Sequence, residues 1–156
     1  MTIIVEAANT AAQYEAGRAL LNAYAKSLGV DLEFQGFSAE LATLEHMYGP
    51  PSGCLLLARE DLRYIGVVGL RALEPGIAEM KRLFVLDEHQ GKGAGALLSA
   101  RFLEKAKELG YRAVRLDSIR TQSKAIEMYR KLGFVEIEAY RYNPFPDAVY
   151  MEYTLV

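Results

Sequence analysis

The chain has 156 residues, 51% apolar and 24% charged, with a formal charge of −2. A length of this order builds one domain that buries roughly 70% of its unfolded surface, and the near-neutral charge argues against a chain whose main work is neutralising nucleic-acid phosphates. One cysteine, Cys54, and two histidines as distant as His46 and His89 supply neither a disulfide framework nor a zinc spacing.

The first ten residues have no basic segment leading into an apolar run, and no apolar stretch approaches the ~20 residues of a membrane span. The expectation is a single domain over 1–156, cytoplasmic, touching neither membrane nor nucleic acid. Ile3–Ala7, β-branched at its start, predicts a strand. Asn9 and Thr10 offer caps for a helix whose Leu20, Leu21, Tyr24 and Leu28 share a face, stopped at Gly29. Ser38 predicts the cap of a second helix to about Met47, which Gly49-Pro50-Pro51 ends because proline cannot continue the ladder. Residues 54–59 and 63–72 read as strands joined across Glu60-Asp61-Leu62, and Ile77–Val85 follows the turn at Glu74-Pro75-Gly76. Connections this short make the three antiparallel neighbours.

The second half changes character. Glycines at 91, 93 and 95 precede a helix with Leu98, Phe102, Ala106 and Leu109 on one stripe, closed by Gly110. A strand over 113–117 leads to a helix bearing Ala125, Met128, Tyr129 and Leu132, which Gly133 ends, and strands over 134–140 and 149–155 finish the chain. The order implies an α+β protein with a mixed sheet, antiparallel early and with a β-α-β crossover in the middle.

The run Gln90-Gly91-Lys92-Gly93-Ala94-Gly95 lies between a strand and a helix start. Exposed backbone N–H groups and the helix dipole attract phosphate oxygens there, and glycine lets the ligand approach. A tight turn with no ligand is the alternative; Lys92 and the approach from Leu86 to Gln90 favour an anion. Gly91-x-Gly93-x-x-Ala96 also fits the dinucleotide fingerprint, with Asp117 ending a later strand, but three consecutive strands and a loop precede it and the second nucleotide-binding half is lacking. No G-K-[ST] follows the glycines, so it is not a P-loop.

Taken together, three segments resemble the GNAT superfamily of N-acetyltransferases. Gln90 to Gly95 is similar to its Q/R-x-x-G-x-G/A acyl-coenzyme A loop, Glu79 to Val85 to its fourth strand, and AIEMYRKLGF, residues 125–134, to its A-x-x-x-Y-x-x-L-G-F helix and turn. The resemblance implies a mostly antiparallel, splayed sheet flanked by helices, with acetyl-CoA as co-substrate and no metal. The pantetheine arm would pair near Leu83, Phe84 and Val85, and the diphosphate would rest on Gly91, Lys92, Gly93, Ala94, Gly95 and Ala96. Two departures stand out: Gln90 is the less frequent first residue of the loop, and Gln122-Ser123 occupy positions where many members carry an asparagine.

By the same resemblance Tyr129 would be the acid that protonates the leaving thiol, against a core-packing alternative. Glu79 falls where some members place a general base, and regular alternation puts Glu79, Lys81, Leu83 and Val85 on one face; a structural carboxylate paired with Lys81 or Arg82 is the competing reading. Cys54, in an apolar run, reads as a buried inert thiol, so direct attack is expected. His46 and His89 read as exposed. The acceptor's walls are expected from Phe34 to Phe37, Tyr48 to Pro50 and Tyr140 to Phe145, with Lys81 and Arg82 available for an acceptor carboxylate. The expected partner is a small-molecule amine, a homodimer being left open. A non-catalytic acyl-CoA binding or sensing module and a protein N-terminal acetyltransferase are the rival functions.

Overall fold

The protein is described from a computed structural model covering residues 2–29, 31–33 and 36–155. β1 (Ile3–Ala7) leads into α1 (Ala11–Leu28), which Thr10 and Gln13 open with a reciprocal capping box and Gly29 closes in the left-handed region. α1 lies close on the sheet because Gly17 faces it: a Cβ there would meet Leu55 Cδ2 at 2.5 Å.

The expected second helix is broken in two, α2 (Phe37–Ala42) and α3 (Leu44–Met47). Thr43 causes the break, its hydroxyl donating to the Ala39 carbonyl at 2.8 Å while its backbone leaves helical geometry. Ser38 is not the cap: Gly36 holds that position, and the Ser38 amide donates to Glu33 instead.

β2 (Cys54–Glu60), β3 (Arg63–Glu74) and β4 (Ile77–Val85) form the antiparallel meander. A single 3-10 turn at Asp87–His89 leads to α4 (Ala94–Glu108), then β5 (Ala113–Ile119), α5 (Ser123–Leu132), β6 (Val135–Ile137) and β7 (Ala148–Thr154). The seven strands run β1-β2-β3-β4-β5-β7-β6, with β4 and β5 parallel and the other pairs antiparallel. β6 is much shorter than the strand expected over 134–140: its pairing with β7 stops at Ile137 opposite Tyr150, and Tyr140 instead turns its hydroxyl to Glu79. One core joins the α1–α3 side to the sheet through Leu21, Leu55, Leu57 and Val67, and the other packs Leu98, Phe102, Ile126 and Tyr129 onto the opposite face.

Two irregularities open the sheet. Val67 opposes Phe84 and Gly69 opposes Lys81, so Arg82 and Leu83 together face Val68 alone: a β-bulge, with Arg82 at φ 64°. The bulge reverses the alternation, and the expectation that Glu79, Lys81, Leu83 and Val85 share one face is corrected. Lys81 opposes Gly69, beneath the Tyr48 ring on the α1 side, and beyond the bulge Phe84 takes that side while Val85 turns toward α4. Second, β4 and β5 pair over three positions, Ile77 to Glu79 against Ala113 to Arg115, and then diverge.

Candidate active site

A cleft of about 700 Å³ fills the splay on the side of the two helix starts. α4 begins at Gly93 and α5 at Gln122; neither cap accepts a side-chain hydrogen bond, and neither first turn carries an acid. Both helices therefore present unpaired amides and positive dipole ends to the same space. Gly91 and Gly93 take φ of 82° and 89°, and a Cβ on either would meet nothing within 4 Å. The turn needs left-handed backbone and leaves its surface bare for a close ligand.

Leu83, Phe84, Val85, Gln90, Gly91, Gly93, Ala94, Gly95, Ala96, Gln122 and Ser123 all line this cleft. Lys92 does not; its ammonium turns out toward Glu60, 3.6 Å away. The Gln90 amide donates to the Val85 carbonyl at 2.9 Å and to Asp87 at 3.3 Å, tying the end of β4 to the turn. His89, read as exposed, is buried in the cleft wall with neither ring nitrogen hydrogen-bonded, and Glu60 Oε1 lies 3.4 Å from its Nδ1.

At its inner end the cleft meets a smaller cavity of about 110 Å³, and Tyr24, Leu28, Leu83, Gln122 and Ala125 border both. Tyr129 lines the small cavity from α5, its ring packed against Phe134 at 5.6 Å. Among the described residues nothing hydrogen-bonds its hydroxyl. Burial, with the Tyr24 phenol nearby, pushes its pKa far above the usual tyrosine value, so the group stays protonated. It is thus a core aromatic by packing whose hydroxyl borders the cavity.

Three charged side chains line this cavity: Lys81, Arg82 and Asp117. Arg82 is already engaged. Its Nη2 and Nε donate to the two Glu40 carboxylate oxygens at 2.9 and 3.1 Å, Tyr48 adds its hydroxyl to the same carboxylate at 2.9 Å, and the guanidinium sits 5.3 Å from the Phe37 ring. Asp117 accepts from the Asn143 amide at 3.2 Å. Lys81 has no such partner, and burial pushes its pKa down to about 8, helped by Arg82 and Arg141 and opposed by Glu79 and Glu40.

Glu79 is held by hydrogen bonds apart from the two cavities. It is 0% exposed, lines neither cavity, and accepts from Arg71 Nε at 2.9 Å, from the Tyr140 hydroxyl at 2.9 Å and from Arg141. It makes no hydrogen bond to Lys81 or Arg82, although the Lys81 charge is the leading cation that acts on it through space. Burial opposes its ionisation, but the cations and donors around it prevail and hold its pKa below the ordinary carboxylate value.

Of the expected acceptor walls, Asn143 and Phe145 line the small cavity, Tyr48 is buried beneath it, and Tyr140 and Arg141 serve Glu79. Phe34 and Gln35 lie outside the described residues. Sequence reasoning missed Tyr24 and Asp117 as cavity residues. Tyr24 shares the apolar stripe of α1, and a stripe reads the same whether it faces a core or a cleft; Asp117 alternates with Arg115 on β5, and such a pattern reads the same on a solvated face as on a cavity wall.

Unpaired amides around a cleft that borders a small charged cavity suit a ligand with an anionic group at one end and a reacting group at the other. The chain belongs to the acetyltransferase (GNAT) family, which it matches over residues 16–134, and it is an acetyl-CoA-dependent acyltransferase of that family. It is 38% identical to an uncharacterized N-acetyltransferase of Schizosaccharomyces pombe over 134 residues, 85% of this chain and 82% of that one. Among solved structures, a GNAT-family acetyltransferase of Staphylococcus aureus superposes with a TM-score of 0.82 at 22% identity, covering 99% of this chain and 100% of the other. An acetyltransferase of Salmonella typhimurium, solved with acetyl-CoA, matches with a TM-score of 0.68 at 17% identity over 100% of this chain and 95% of its own.

Proposed function

We propose that the protein moves the acetyl group of acetyl-CoA to a primary amine on a small molecule by direct attack, in the cytoplasm. The observation that carries this reading is the Tyr129 hydroxyl, which lines the small cavity with no hydrogen-bond partner among the described residues, one turn of α5 beyond Ala125, which borders both spaces. The residues fit the donor: unpaired amides at Gly93 to Ala96 and at Ser123 would hold its diphosphate, and the bare glycine turn would let it close on the backbone. The Salmonella neighbour holds acetyl-CoA in the same fold.

Each residue's part follows from its surroundings. β4 and β5 stop pairing after Glu79 and Arg115, and the β5-facing edge of β4 beyond that point, toward Val85, has backbone donors available for the developing oxyanion. Tyr129 gives its proton to the departing thiol sulfur. The acceptor attacks as the free amine, its ammonium having given one proton to water; Asp117 faces that nitrogen, and the second proton it sheds as the amide forms restores the Tyr129 hydroxyl. Glu79 serves as an anchor that holds Arg141 and Tyr140 in place. A covalent route through Cys54 is disfavoured, since burial in the core pushes that thiol up to about 11. The small acceptor cavity favours a compact amine over a protein N-terminus, and the free phenol argues against a module that only binds.

Tyr129→Phe tests the reading, because it removes one hydroxyl from a site with no hydrogen bond to lose. It should lower kcat by ~10²-fold, the usual scale of general acid catalysis, while acetyl-CoA affinity holds. Thiol release under conditions where chemistry limits turnover measures the first, and calorimetry the second. An undiminished kcat would return Tyr129 to packing alone.

A further inference from the structure

The proposed function leaves the acceptor open beyond its amine, and one side chain in the small cavity narrows it. Lys81 is 93% removed from solvent, borders the cavity, and has no hydrogen bond or ion pair among the described residues. The neighbouring carboxylates are committed elsewhere: Glu40 to Arg82 and Tyr48, Glu79 to Arg71, Tyr140 and Arg141. Glu79 and Glu40 reach Lys81 only through space, with no hydrogen bond or ion pair to it. Of the charged side chains that line the cavity, Arg82 has Glu40 and Asp117 has Asn143, and the Lys81 ammonium is the one without a hydrogen-bond partner among the described residues.

A buried uncompensated charge is costly, and structures keep one where a ligand completes it. We propose, building on the acetyltransferase reading, that the acceptor is a small zwitterionic amine of the amino-acid class, whose carboxylate pairs with the Lys81 ammonium while its amino group faces Asp117 and Tyr129. Arg82 is not the hook, since Glu40 already occupies its fork. Phe145, Leu28 and Leu32 supply apolar wall for the rest of the acceptor. A peptide N-terminus, whose nearest carbonyl is an amide, leaves Lys81 unanswered.

The test compares N-acetylglycine, N-acetylalanine and N-acetylleucine with their C-terminal amides, binding to the protein in the presence of CoA and measured by calorimetry. Each pair differs only in the charge at issue, and none has an amine whose own titration confuses the result. The acids should bind about 10- to 100-fold more tightly than the amides, the range of a charge-assisted hydrogen bond. In Lys81→Met and Lys81→Gln that ratio should fall to within about 3-fold of one. Equal binding of acid and amide in the wild-type protein, binding of neither at millimolar concentration, or a preference that survives in both variants would overturn the proposal. Failure of the acetyltransferase reading shows separately, as absence of acetyl-CoA binding and of thiol release with every amine, because the acid–amide comparison needs no turnover.

Discussion

Replacing Lys81 by methionine, of similar length and uncharged, should make the protein more stable at neutral pH. Lys81 is 7% exposed, and its pKa stands at about 8 against an ordinary 10.5. That difference corresponds to roughly 3 kcal/mol by which folding disfavours the charged form. The folded pKa lies below the unfolded one, so between the two values the unfolded chain binds the proton more readily. The penalty is therefore fully present below about pH 8 and is relieved as pH rises from about 8 to 10.5. For a chain of this size each kcal/mol moves Tm by ~2–4 °C, which puts Lys81→Met about 6–12 °C above wild type near neutrality, with the gap closing toward about pH 10. Calorimetric melts of both proteins across that range measure it, and the difference between them cancels every group they share. A variant that melts at or below wild type near pH 7, or a gap that stays constant with pH, would refute the picture of an uncompensated buried ammonium.

Glu79→Gln should cost ~3–5 kcal/mol, because it leaves Arg71 and Arg141 short of a buried counter-charge. The lowered pKa means that this contribution is present above the unfolded value of about 4.5 and is lost as pH falls through the folded one, so the variant's deficit in melts should shrink in acid. Its pH–rate profile should keep its acidic limb, whereas loss of that limb would reinstate Glu79 as the base. Gly95→Val, at a helical position where a Cβ meets only Met128 and Val85 at 3.8 and 3.9 Å, should keep the fold and weaken acetyl-CoA binding in calorimetry by 10-fold or more through obstruction of the helix start. Unchanged affinity in the folded variant would place the donor elsewhere.

The readable parts of this protein are those fixed by neighbours in sequence. Gly29 and Gly133 close α1 and α5 in the left-handed region as their positions suggested, and the glycine turn before α4 announced its helix start by composition. The unreadable parts depend on distant partners. Met80-Lys81-Arg82-Leu83-Phe84 alternates plausibly as a regular strand, and nothing local reveals that Val68 opposes two of its residues. Glu79 draws on Tyr140 and Arg141, some sixty positions away, so the hydrogen bonds that occupy its carboxylate could not be seen from β4 alone. His89 is buried against Glu60 rather than exposed for the same reason.

The short contact between β4 and β5 has a bearing on how the site tolerates change. An unpaired strand edge ordinarily lies at the rim of a sheet, where it recruits other chains. This sheet has two more in its interior: past Glu79 and Arg115 the facing edges of β4 and β5 no longer reach each other, and helices wall them in. A ligand lying extended in that gap is gripped by peptide groups, which every residue supplies alike. The hold on such a ligand does not depend on which side chains stand along the gap, so Leu83 and Leu116 are constrained by core packing and the cavity wall instead. Discrimination is left to the two ends, the bare glycine turn at one and the charged cavity around Lys81 at the other.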